Sequence, residues 1–90
     1  MKHTNKYIVG LLDKPKKPIK SKITQSVEYD KFLDAYKEAR RRSHHESTVD
    51  FTIGGTGDTI ALAQLRDDKL VGMWIFDKNA REQTVLALPA

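Results

Sequence analysis

At 90 residues the chain has the length of one small domain, and 39% hydrophobic with 31% charged side chains supports a modest core rather than disorder. With no cysteine, disulfide scaffolds, thiolate zinc sites, iron–sulfur clusters and cysteine nucleophiles are excluded. A balance of 16 Lys and Arg against 12 Asp and Glu leaves a formal charge of +4, which permits contact with a polyanion without requiring it.

The N-terminal apolar run, Tyr7 to Leu12, is closed by Asp13, too short for a signal-peptide core or a membrane span. A cytoplasmic location without a membrane partner is the expectation, since a cysteine-free chain fits a reducing compartment. Tyr7, Val9 and Leu11 alternate with Ile8, Gly10 and Leu12, the pattern of a strand covered in part on both faces. Pro15 and Pro18 lack amide donors and stop the ladder. Beyond them, Ile19, Ile23 and Val27 share a face with Ser21 and Gln25, opposite Lys20, Lys22, Thr24 and Ser26. The two strands read as a hairpin with a proline-stiffened loop.

The period then changes. Tyr29, Phe32, Leu33, Ala35, Tyr36 and Ala39 recur at three- and four-residue intervals, which predicts a helix over about residues 27–43. Ser26 is placed to cap it, with Glu28 and Asp30 in the first turn, where the positive dipole end favours acids. Phe32, Leu33 and Tyr36 are the expected contacts with a sheet.

Val49, Phe51 and Ile53 alternate as a further strand, and "GGTGD" turns the chain. "TIALAQLR" and "LVGMWIFD" flank "RDDK" as a hairpin. "LVGMWIF" is apolar on both sides, so it reads as a central strand, or as one whose second face another chain covers. That motive predicts self-association, a homodimer, or a partner docking there. "KNARE" makes a polar turn, and "TVLAL" adds an edge strand before Pro89. Residues 1–90 therefore read as one α+β domain, a single helix on an antiparallel sheet of five or six strands. The expected order is β-β-α-β-β-β, with a further strand optional.

"KEARRRSHHE", residues 37–46, concentrates positive charge at the predicted helix end. Glu38 lies three and four residues before Arg41 and Arg42, and Asp34 three before Lys37, spacings that support an exposed helix. The cations also suit the negative end of the dipole. The functional alternative joins Arg40, Arg41 and Arg42 to Lys16, Lys17, Lys20 and Lys22 of the hairpin loop as one partner-binding band. His44 and His45 are adjacent and diverge by about 100° on a helix, so no shared metal is expected. "IGGTGDT" lacks the lysine and spacing of a phosphate loop and is read as a turn.

No nucleophile–base pair or paired carboxylates are spaced for catalysis; Asp67 and Asp68 are turn residues, and Asp50 and Asp58 flank the glycine turn. Trp74, between Met73 and Ile75, reads as core. The expectation is a non-catalytic, cofactor-free binding protein that modulates or inhibits a larger protein or nucleoprotein complex by direct protein contact. Phage and mobile-element proteins of the anti-restriction or CRISPR-inhibiting type share its size, an association rather than a motif. The alternative is a nucleic-acid-binding accessory protein that uses the same two basic clusters.

Overall fold

A computed structural model describes residues 3–13 and 23–86. The strands are β1 (Asn5–Leu12), β2 (Ile23–Tyr29), β3 (Thr59–Arg66), β4 (Lys69–Phe76) and β5 (Glu82–Leu86), and the helix is α1 (Phe32–Glu46). They form one antiparallel sheet in the order β2-β1-β3-β4-β5, with α1 across one face. This is the expected α+β architecture with five strands. No described helix is long and apolar enough to cross a membrane.

Three local expectations are corrected. The helix starts later, because residues 27–29 complete β2: Val27 lies opposite Val9, Glu28 opposite Ile8, and Tyr29 opposite Tyr7. Cross-strand partners for a β-branched and an aromatic side chain outweigh the helical spacing. Ser26 therefore caps nothing; Lys31 is the N-cap and makes no side-chain cap bond. Of the expected first-turn acids, Glu28 instead faces Lys6 at 3.5 Å on the sheet, and Asp34 occupies the first turn.

The predicted strand at Val49, Phe51 and Ile53 is a turn. Its alternation is defeated by Asp50, whose carbonyl accepts from the Ile53 and Gly54 amides, both at 3.1 Å, while its Oδ1 accepts from the Thr52 amide at 2.9 Å. Such bonds offer the backbone an alternative to a ladder. "LVGMWIF" is an interior strand as expected, since β4 pairs with β3 on one side and β5 on the other, although β3 occupies the middle. Finally, the buried face of α1 is Ala35, Ala39, Arg42 and Ser43, whereas Phe32 is 40% and Leu33 59% exposed. Two alanines a turn apart let the helix backbone approach the sheet closely.

On the helix side Val9, Ile60, Leu62 and Phe76 pack with Ala35 and Ala39. Phe32 sits at the margin of this core, with its ring 5.7 Å from those of both Tyr36 and Trp74. Trp74 joins that cluster half-buried, as its sequence context implied. The opposite face gathers Leu12, Ala61 and Met73 with Ile23, Ile75 and Val85.

Two turns are held by carboxylates. Asp67 and Asp68 take positive φ of 51° and 67°, the mirror-image turn that suits a two-residue hairpin. Asp67 also accepts from the Thr4 amide at 2.9 Å and contacts His3 Nδ1 at 2.7 Å, tying this turn to the start of β1. Those bonds hold the Asp67 carboxyl below its usual range. Between β4 and β5, fully buried Asp77 accepts from the amides of Phe51, Asn79 and Arg81 at 2.8–2.9 Å. One carboxylate thus organises both this turn and the loop before β3.

Candidate contact surface

Three consecutive arginines on a helix point in three directions about 100° apart. Arg42 points into the fold. It is 7% exposed, and its guanidinium holds the Glu46 carboxylate through two bonds of 2.7 Å. Its Nη1 also donates to the Val9 carbonyl at 3.3 Å and the Gln25 carbonyl at 3.1 Å.

The second pair of bonds has a backbone cause. The β1–β2 register shifts between Val9 and Leu11, and Gln25 adopts a φ of 51° in the resulting bulge. A bulge leaves ladder groups without their regular partners, and here the guanidinium supplies donors to two carbonyls. Gly10 fills the opposing position because space is lacking there. A Cβ would collide with Ile23 Cγ2 and lie 2.7 Å from the Thr24 carbonyl oxygen. Arg42 is therefore part of the scaffold, which removes it from the surface expected for a partner.

Arg41 lies outside but is occupied by Glu38, with Nη2 to Oε2 at 2.8 Å. This is one of the two pairings expected for Glu38; Arg42 chooses Glu46 instead. The hydrogen bond from Arg41 holds the Glu38 carboxyl below its ordinary range, and the bond from Arg42 does the same for Glu46.

Arg40 is exposed and has no acidic partner among the described residues. Its guanidinium carbon lies 5.9 Å from the centre of the Tyr36 ring, the distance of a cation–π contact. That ring is fixed in turn, since Tyr36 packs on Phe76 and donates its hydroxyl to Glu82 Oε1 at 2.6 Å. The bond to the carboxylate raises the Tyr36 phenol above its usual pKa. Lys37 and His44 lie on the same side of α1 as Arg40, and His44 Nδ1 reaches the Lys78 carbonyl at 3.2 Å. Leu33 begins this row, so the spacing 33, 37, 40, 44 is one straight stripe opposite the buried face. Phe32 adjoins its apolar end.

The surface thus combines an exposed leucine, a half-exposed phenylalanine, a lysine and a stacked arginine on a braced helix. Sequence reasoning placed Phe32 and Leu33 in the core and missed them as surface. The two alanines spaced by four, Ala35 and Ala39, were the signal that the seam lay elsewhere. Lys16, Lys17, Lys20 and Lys22, the other half of the expected band, lie outside the described residues.

The remaining candidates are structural in their visible contacts. Asp50 binds Thr52 and Asn79 rather than a histidine, and its bonds to Thr52 lower its carboxyl pKa. Thr48 Oγ1 accepts from the Asp58 amide at 2.8 Å. Among the described residues no group of three or more His, Asp or Glu is placed to hold a metal ion.

No protein-family model matches this chain, and comparison with curated proteins and with solved structures likewise finds no match.

Proposed function

We propose that this chain is a non-catalytic binding domain that modulates or inhibits a larger macromolecular complex, using the solvent face of α1 to grip an acidic protein surface. The observation that carries the reading is the row of Leu33, Lys37 and Arg40 beside Phe32. It unites apolar anchors with cations on a helix whose opposite side is locked to the sheet by Arg42. Interfaces draw their affinity from a few buried aromatic, aliphatic and arginine anchors, and charge chiefly selects the partner and speeds encounter. The stacked Arg40 suits that role because the Tyr36 ring limits the rotamers it must lose on binding.

A nucleic-acid target would use the cations but gains little from an exposed leucine. Its usual stacking platform is also lacking here: Tyr36 is spent under Arg40 and against Phe76, and Trp74 packs edge-on to Phe32. The reading is tested by affinity capture from the native host with and without nuclease, followed by salt and polyanion titration of the recovered complex. A protein partner retained after nuclease and resistant to competing polyanion is the expected result. Loss on nuclease treatment, with a steep linear fall of log affinity against log salt, would transfer the function to nucleic acid.

A further inference from the structure

At one end of the sheet face turned away from α1 lies a cleft of about 240 Å³. The strand register explains its floor. Ala61 pairs with Ile75 and Ile75 with Gln83, one row across β3, β4 and β5, and Thr59 precedes Ala61 on the same side of β3. Val49, Phe51 and Ile75 supply the apolar part of the lining, and Thr56, Thr59 and Gln83 the polar part. Such a mixture suits an occupant that is itself amphipathic. The volume exceeds the roughly 150 Å³ that suffices for a benzene ring in an apolar protein cavity.

The wall of the cleft is braced rather than slack. The Thr48 amide donates to the Asp58 carbonyl at 2.9 Å, and the Asp58 amide donates to Thr48 Oγ1 at 2.8 Å, which closes the loop at its base. Further out, the Ile53 and Gly54 amides bond the Asp50 carbonyl, and the Phe51 amide bonds buried Asp77. Within this frame the chain places glycine where side chains would fill the space. Gly54 and Gly55 take φ of 85° and 92°, and a Cβ on either would meet nothing within 4 Å.

Thr59 marks the site chemically. It is 3% exposed, and its Oγ1 has no hydrogen-bond partner. Buried hydroxyls are paired in the large majority of cases, and an unpaired one destabilises the fold. Beside a cleft, the partner for it is a polar atom carried in by an occupant. Charge narrows what that occupant is. No charged side chain lines the cleft, and the nearby carboxylates of Asp50 and Asp77 are both engaged by Arg81 at 3.6 Å. An ion of either sign would give up hydration there without gaining a counter-ion. We propose that the cleft binds a neutral aromatic ring of the phenol or indole type, with the ring against Phe51 and Ile75 and its one polar group on Thr59 Oγ1. The exposed Gln83 amide stands at the rim. This site is separate from the α1 surface, and neither reading rests on the other.

The test is a titration of the isotope-labelled full chain with p-cresol, toluene and N-acetyl-tyrosinamide, followed through the amide signals of Phe51, Gly55, Thr59 and Gln83. Expected is saturable binding of p-cresol at these residues, in the roughly millimolar range open to so small a molecule. In Thr59→Val the affinity ratio of p-cresol to toluene should fall about fivefold, the worth of one hydrogen bond. The melting midpoint of that variant should hold or rise, because valine keeps the shape and removes an unpaired hydroxyl. Thr59→Ser should keep the wild-type ratio. The tyrosine amide separates two sources of the same ring: affinity equal to that of p-cresol supports a side chain of a protein partner, and binding of p-cresol alone supports a free molecule. Absence of saturable shifts at the cleft up to the solubility limit overturns the proposal. An unchanged ratio in folded Thr59→Val overturns it too.

Discussion

Replacing Arg42 by alanine separates a scaffold arginine from the surface ones beside it. The change removes donors from the Val9 carbonyl, which is buried, and from the Gln25 carbonyl, which is partly so. A buried acceptor without a partner costs about 1–3 kcal/mol, and a partly wet one less. Glu46 keeps a 32% exposed side chain and recovers much of its hydration, so the lost ion pair adds only a fraction of the value of a fully buried pair. The sum is about 2–4 kcal/mol. For a domain of this size that lowers the melting midpoint by roughly 10–25 °C. Neutralising Arg40 or Arg41 instead removes only an exposed, solvent-screened contact, a shift of no more than a few degrees. Thermal melts followed by circular dichroism, with urea titration to verify an unchanged slope, read the difference directly. Arg42→Lys should fall between, since one ammonium cannot reproduce the fork. Equal losses in the Arg41 and Arg42 variants would refute the assignment of Arg42 to the bulge.

Gly10→Ala should cost at least ~1–3 kcal/mol in urea denaturation, because the new methyl meets β2 backbone that cannot yield without opening the bulge. Glu38 and Glu46 titrate below their unfolded value in the native state, so the stability they contribute is present above about pH 4.5 and is lost as pH falls through the folded pKa values. Melts from pH 7 to pH 3 should therefore show a loss below pH ~4.5, and Glu46→Gln should flatten it. Phe32→Ala should destabilise by about 1–2 kcal/mol, against ~3–5 kcal/mol for fully buried Phe76→Ala; equal chemical-denaturation losses would place Phe32 back in the core.

Much of the architecture was legible because period reports burial. The alternation at residues 7–12, the hairpin signal of "TIALAQLR" and "LVGMWIFD" about "RDDK", and the helical spacing from Phe32 to Ala39 each became the expected element. The errors fall where long-range or side-chain chemistry competes with period. Tyr29 fits a helix face as well as a strand, and only its partner Tyr7, distant in sequence, decides. Val49, Phe51 and Ile53 alternate, yet the carboxylates of Asp77 and Asp50 capture the amides of Phe51 and Thr52. The basic run was visible as composition, but not the sorting of its arginines into a bulge latch, an intrahelical pair and a stacked surface cation. That sorting depends on Gln25 and Gly10, whose bulge has no marker in the sequence beyond an isolated glycine.

The reading of α1 as a protein-contact surface meets its most direct test in capture from the native host, in the presence of nuclease, by the wild type and by Leu33→Asp/Arg40→Glu. Neither side chain supports the fold, so both proteins should melt within a few degrees of one another. The expected result is one protein partner recovered at constant stoichiometry with the wild type and lost with the variant. Recovery of that partner by the variant at wild-type yield would contradict the assignment of binding to this face.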